Sequence, residues 1–248
     1  MGGAALLAGF AALKAGAGIV RLFHPPGMAW NNAPLELIGE RWRGISERRV
    51  IEEMARAKAL FIGPGMGRTK DALRRIRKLL PLIARPVVID ADGLFALGQH
   101  PDWTLPPETI LTPHRQEMEQ LLNLDLHAPF YERVQRYVEE KQGIVVLKGA
   151  PTWIFESGKR PLVLPFGDPG MATAGTGDVL TGIISALLAQ GMGLKKAARI
   201  GVQWHGMAGE CAAQELSSYC LNASDLIRHL PNIVKMAGHS RHSTSLCE

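Results

Sequence analysis

The stretch Gly167-Asp168-Pro169-Gly170-Met171-Ala172-Thr173-Ala174-Gly175-Thr176-Gly177-Asp178 carries the strongest chemical signal in the chain. Small residues run through a full loop and end in Gly-Thr-Gly-Asp, where an apolar helix begins. Apolar side chains at 179, 180, 183, 184, 187 and 188 predict a buried stripe on that helix. Glycines let backbone N–H groups and the positive end of the helix dipole face an anion. A carboxylate repels an anion, so Asp178 is out of place in a loop that only binds one. It fits a site where Asp178 accepts a proton from a hydroxyl, beside an anion hole for a transferred phosphoryl group. The bland reading is a helix-capping Asp on a flexible loop; the functional one is the stronger.

Other candidates sit where strands end, which is where open parallel sheets bind ligands. Gly63-Pro64-Gly65-Met66-Gly67-Arg68-Thr69-Lys70 leads from a strand into a helix. It fails both the P-loop and the G-x-G-x-x-G pattern, because Arg68 stands where each needs Gly. It is either a tight turn only or a contact for phosphate or substrate at a helix N-terminus. Asp90-Ala91-Asp92-Gly93 places carboxylates after a second strand, where they can bind a metal or a polar substrate; Asp92 reads more readily as the N-cap of the next helix. In Thr112-Pro113-His114, the proline holds Thr112 extended and brings His114 to the mouth of the sheet. His114 is either structural or functional there. Glu117 falls in a first helical turn, where the macrodipole favours it. Lys148-Gly149-Ala150-Pro151-Thr152 follows a further strand; Lys148 either reaches a nucleotide phosphate or lies on the surface.

The elements that must position these residues alternate along the chain. The pattern predicts helices at 4–15, 47–58, 69–80, 115–122 and 130–141, and strands at 19–23, 59–62, 86–89, 109–111 and 144–147. Residues 152–155 and 161–164 read as a hairpin turning at Ser157-Gly158. From Gly177 onward the chain reads as nearly all helix. Short apolar strands between helices imply an α/β fold, with a mostly parallel central sheet and helices on both faces. The hairpin implies an antiparallel edge. Residues 1–237 are expected to form one domain, and the polar residues 238–248 a frayed tail.

Composition narrows the classes. Of 248 residues, 46% are hydrophobic and 21% charged, which excludes wholesale disorder. The net charge of +5 is mild, and runs such as Arg74, Arg75, Arg77 and Lys78 read as a solvated helix face, not a nucleic-acid patch. Three cysteines, Cys211, Cys220 and Cys247, form no CxxC, so a reducing, cytoplasmic setting is expected. The Ala-rich start has no positive charge before its apolar run, which argues against a signal peptide. No apolar run reaches the roughly 18 residues of a membrane span.

Gly-Thr-Gly-Asp opening a long apolar helix resembles the ribokinase-like superfamily of small-molecule kinases. The fuller set resembles the NAD(P)H-hydrate dehydratase family. It comprises Gly63 to Gly67, Val88-Ile89-Asp90-Ala91-Asp92-Gly93-Leu94, Leu111 to His114, Val146 to Gly149 and Gly167 to Gly182, in that order. Ala4-Ala5, Ala15 to Gly18 and the helix around His205-Gly206 and Ala208-Gly209 add to it. The resemblance covers about residues 1 to 235; single motifs are common, but their joint order is specific.

The resemblance implies ADP-dependent repair of hydrated NADH and NADPH (NADHX and NADPHX). The C6 hydroxyl is phosphorylated and phosphate is eliminated, leaving AMP and phosphate. It implies Asp178 as the base and Gly175, Thr176 and Gly177 as the anion hole. Lys148, Gly149, Ala150, Pro151 and Thr152 would line the AMP portion. Ala4, Ala5, Gly65, Gly67 and His114 would contact the hydrated dinucleotide. It implies Mg2+ accompanying the nucleotide with water-rich coordination, a homo-oligomer such as a tetramer, and no nucleic-acid or membrane partner.

Three departures stand out. Arg115-Gln116 replaces the usual Pro-Gly before Glu117 and suggests a preference for a phosphorylated dinucleotide. Asp168 replaces a common Asn and is expected to add negative charge near the phosphate loop. The family's first strand and Gly-rich loop are missing before Ala4, which is expected to expose sheet edges and remove part of the substrate pocket. The family's epimerase domain is missing too, so no epimerase activity is expected. Two other readings share Gly175 to Asp178: a vitamin-precursor kinase, whose phosphorylated product would accumulate, and a nucleotide-binding or assembly protein without turnover.

Overall fold

The computed structural model describes residues 2–24, 30, 33–42, 46–122 and 128–239. Helix α1 (Gly2–Lys14) turns at Gly16 into strand β1 (Val20–His24). β1 pairs in parallel with β2 (Leu37–Arg41), a strand the sequence pattern did not predict. Its Leu-Ile-Gly-Glu-Arg run has no clean alternation. What secures it is tertiary: Arg21 of β1 pairs with Glu40, and Trp30 lies so close on Gly39 that a Cβ there would sit 2.2 Å from the ring.

The main sheet holds β3 (Leu60–Ile62), β4 (Val87–Ile89), β5 (Thr109–Leu111), β6 (Ile144–Leu147), β7 (Thr152–Glu156) and β8 (Leu162–Leu164), in that spatial order. β3 to β6 run parallel, and β7 and β8 close the sheet as an antiparallel hairpin. The intervening helices are α2 (Glu47–Arg56), α3 (Lys70–Leu79), α4 (Asp92–Gln99), α5 (Arg115–Leu121) and α6 (Phe130–Lys141). Then come α7 (Thr176–Ala189), α8 (Leu194–Leu216) and α9 (Ala223–His239). The predicted mostly parallel sheet, helices on both faces and antiparallel edge are all present.

Strand side chains alternate between two cores, as the pleat requires. Val88, Ile110, Ile144 and Val146 join α1, α7, α8 and α9 on one face. Val87, Ile89, Leu111, Val145 and Leu147 join α2 to α6 on the other. Helix α7 is buried almost all round, which explains its near-continuous apolar sequence. Its backbone touches that of α1: a Cβ on Gly182 would lie 2.1 Å from the Ala8 carbonyl oxygen. The basic run in α3 does face outward, with Lys78 paired to Glu47 and Arg75 over the Trp42 ring.

Between β1 and β3 lies a cleft of about 600 Å³, lined by Ala5, Val20, Leu22, Leu60, Phe61 and Ser185 among others. Among the described residues, β1 pairs only with β2, and β3 only with β4. Helix α9 extends to His239. Residues 240–248 lie outside the described ones. No described helix is long and apolar enough to cross a membrane.

Candidate active site

Helix α7 opens without a side-chain cap. Its N-cap is Gly175, at a φ of 93°, a left-handed conformation that favours glycine. The first intrahelical bond runs from Val179 N to Gly175 O. The N–H groups of Thr176, Gly177 and Asp178 therefore have no helical acceptor. The hydroxyl of Thr176 is turned away from them. It donates to the carbonyls of Met171 (2.8 Å) and Thr173 (3.0 Å), tying the preceding loop to the helix. Only the Thr176 backbone is left to face an anion.

Helix α8 seats that loop. A Cβ on Gly206 would meet Phe166 at 2.4 Å, and one on Gly209 would meet the Met171 sulfur at 2.2 Å. Glu210 accepts from Gly167 N at 2.8 Å. Half-buried His205 places Nε2 2.8 Å from the Thr176 carbonyl. Burial pushes its pKa down to about 4 against that bond, so the ring is neutral at pH 7 and its Nε2–H donates. Asp168, standing in place of the common Asn, is tied into this loop. It accepts from Gly170 N (2.8 Å) and Ser218 Oγ (3.0 Å), capping the short turn Pro169–Met171.

Asp178 meets a buried polar cluster beneath the turn. Asp90, at the end of β4 and 1% exposed, accepts from Lys148 Nζ (2.9 Å) and from Thr181 Oγ1 (2.8 Å). Lys148 also lies 3.7 Å from Glu117, and a Cβ on Gly177 would sit 3.1 Å from its Nζ. Burial alone would lower the Lys148 pKa, but Asp90, Glu117 and Asp178 outweigh it and hold the ammonium above its ordinary value. Burial raises the Asp178 pKa to about 7; Asp90, Asp92 and Glu117 add to this and Lys148 opposes it. A carboxylate near neutral, beside unpaired N–H groups, can exchange a proton with a bound hydroxyl at physiological pH.

The other predicted residues gather at the same edge of the sheet with different duties. His114 caps α5: its Nδ1 accepts from Glu117 N (3.2 Å), while its own N donates to Glu117 (2.8 Å). It bridges to Lys148 across the sheet, and half its ring remains exposed. Asp92 is not the N-cap predicted for α4. Ala91 holds that position at a φ of 46°, and Asp92 reaches back to accept from Gly67 N (2.8 Å) and Arg68 Nε (3.0 Å). The bend at 90–93 forces this, because Gly63 packs on it so closely that a Cβ would sit 1.8 Å from the Asp90 carbonyl. Gly65 and Gly67 both have positive φ in the turn thus secured. Gly149, Ala150 and Pro151 are exposed on the turn into β7, and buried Thr152 donates to the Gly149 carbonyl. Ala4 and Ala5 lie half-buried in the first turns of α1, near Leu7, whose Cδ1 is close to Gly175. Arg115 is drawn to Glu119 (3.1 Å) and lies over the Phe130 ring.

Sequence reasoning missed Thr181, His205 as a loop anchor, and Glu210. Thr181 left a trace, as a polar residue inside an apolar helix. Among the described residues, no three His, Cys, Asp or Glu side chains are placed to hold a metal ion. The carboxylates around Asp178 are already engaged by Lys148, Thr181, Arg68, Gly67 and His114.

Comparison with known proteins follows the same lines. The sequence profile described as NAD(P)H-hydrate dehydratase matches residues 1–232. The chain is 36% identical to the bifunctional NAD(P)H-hydrate repair enzyme Nnr of Moorella thermoacetica, over 94% of this chain and 47% of that one. It thus spans about half the length of the first curated relatives it matches. It is 30% identical to the ADP-dependent (S)-NAD(P)H-hydrate dehydratase of Lactococcus lactis, over 94% of this chain and 85% of that one. The crystal structure of the ADP/ATP-dependent NAD(P)H-hydrate dehydratase of Bacillus subtilis, co-crystallised with ATP/Mg2+ and soaked with CoA, superposes with a TM-score of 0.77. That pair shares 28% identity over 95% of this chain and 87% of that one. The fold is ribokinase-like.

Proposed function

The chain belongs to the NAD(P)H-hydrate dehydratase family, and from that premise we propose that it restores hydrated NADH and NADPH by ADP-dependent dehydration. The observation that carries this reading is Asp178, with a pKa near 7, at the uncapped N-terminus of α7. Hydroxide is a poor leaving group and phosphate a good one, so the C6 hydroxyl must first be phosphorylated. In this reading the Asp178 carboxylate takes the hydroxyl proton as the oxygen attacks the terminal phosphorus of ADP. The bond to AMP breaks, and the N–H groups of Thr176, Gly177 and Asp178 hold the phosphoryl oxygens in flight. Loss of phosphate and a ring proton then restores the double bond, so the products are NADH or NADPH, AMP and phosphate.

Gly149, Ala150, Pro151 and Thr152 would line the AMP portion, with Lys148 at the inner end of that segment. His114, the Gly65/Gly67 turn and the start of α1 at Ala4 and Ala5 would receive the dinucleotide. Mg2+ would arrive on the phosphates of the nucleotide with its own waters. Among the described residues no side chains form a cage for it, and no step depends on one. The reading includes a cytoplasmic setting, where NADH and ADP are plentiful, and a homo-oligomer.

The test is recovery of NADH absorbance when the purified protein meets NADHX, ADP and Mg2+. We expect recovery that requires ADP and that falls about 10²- to 10⁴-fold in Asp178→Ala. Accumulation of a phosphorylated product without NADH would make the protein a small-molecule kinase instead. ADP binding with neither product would make it a non-catalytic relative.

A further inference from the structure

Asp90 takes no part in the steps above, yet it is the most deeply buried carboxylate of the site. Its backbone is pinned by Asp90 N to Ile62 O (3.0 Å) and by Gly93 N to Asp90 O (2.9 Å). Its two carboxylate oxygens go to different elements: Oδ1 to Lys148 at the end of β6, Oδ2 to Thr181 on α7. A buried carboxylate is costly unless every lone pair is used, and a partly satisfied network is worse than an apolar one. Such a group persists where it fixes a geometry. The geometry here is the one around Asp178, three residues before Thr181 and so on the same side of α7.

We propose that Asp90 is a positioning residue for the reaction: by binding Lys148 and Thr181 together it fixes both the ammonium and the carboxylate that Asp178 faces. The proposal rests on the reading of Asp178 as the base. The charged groups acting on Asp178 are Asp90 at the end of β4, Asp92 on α4, Glu117 on α5 and Lys148 at the end of β6; His205 of α8, bonded to the Thr176 carbonyl, is neutral. Asp92 and Glu117 are also bound to the backbone of exposed turns. Asp90 alone joins the sheet to the helix that carries the base. Removing its charge takes away a like charge and frees Lys148 to approach Asp178. Both changes favour ionised Asp178, so its titration must move to lower pH.

The experiment titrates the ¹³C-labelled carboxyl of Asp178 by NMR in the wild type and in Asp90→Asn, with Asp178→Asn assigning the signal. The pH profile of ADP-dependent NADH recovery is measured beside it. We expect a wild-type midpoint near 7 and a fall of about 1 pH unit or more in Asp90→Asn. The acid limb of kcat/KM should move by the same amount. Thr181→Val keeps every charge and covers the case in which Asp90→Asn does not fold. It should lower kcat several-fold with KM for ADP unchanged, and Thr181→Ser should restore kcat. An Asp178 midpoint unmoved by Asp90→Asn, or a wild-type kcat in Thr181→Val, overturns the proposal. Failure of the wild type to restore NADH would defeat the dehydratase reading instead, and the NMR midpoints would still decide whether Asp90 governs Asp178.

Discussion

The molecule has two glycine-rich turns that lead from the sheet into a helix, and only one leaves its helix open. The turn at 63–69 ends in Thr69, whose hydroxyl accepts from Ala72 N (3.2 Å) and caps α3. Its Gly67 N–H is taken as well, by Asp92. The turn at 167–175 ends in Gly175, which has no side chain to give, and the hydroxyl of Thr176 faces backwards. Both turns look alike as strings of small residues. What makes a helix N-terminus an anion site is the absence of a competing acceptor, since each first-turn N–H is already spent once a side chain reaches it.

Substitutions at the two turns should separate them. The largest effect is expected from Gly175→Ala. The added Cβ must adopt a φ of 93° and would meet Leu7 at 2.5 Å. Strain of about 1–3 kcal/mol at this position should displace the first turn of α7. KM for ADP should rise about tenfold or more in steady-state assays. A KM left at the wild-type value would mean that the open turn is not where the nucleotide's phosphates bind.

An intermediate effect should come from Asp178→Asn, read as stability against pH. The folded-state pKa of about 7 lies above the ordinary 3.8. The folded protein therefore favours the protonated form. That stabilisation is full below about pH 4 and is lost as pH rises through 7. Asn keeps the neutral state at every pH. Its melting temperature should match the wild type near pH 4 and exceed it by a few degrees at pH 8. Equal melting curves at both pH values would show that Asp178 is not desolvated. The smallest effect is expected from Thr69→Ala, which should cost about 1 kcal/mol in a denaturant melt and leave KM for ADP unchanged. A rise in that KM would extend the anion site to the first turn of α3.

Much of the fold can be read from local pattern. β4, β5 and β6 appear as short apolar runs because both their faces are buried, and α7 appears as an apolar helix because helices and sheet enclose it. β2 cannot be read this way, since its pairing depends on an ion pair and an aromatic contact with other segments. Asp92 misleads for a related reason. An Asp before a helix usually caps it, but the packing of Gly63 on residue 90 shifts the cap to Ala91 and frees the carboxylate for another turn.

By itself the sequence determined the alternation of elements, the small-residue loop before α7, and a carboxylate where an anion site would begin. Those features depend on side-chain size, hydrophobic period and the missing Cβ of glycine, which are properties of neighbours along the chain. Only the tertiary structure decided which turn stays open and what surrounds Asp178. Asp90, Lys148 and Thr181 stand 58 and 91 residues apart in their hydrogen-bonded pairs. Their effect on a proton depends on distance and burial, and the fold alone sets both.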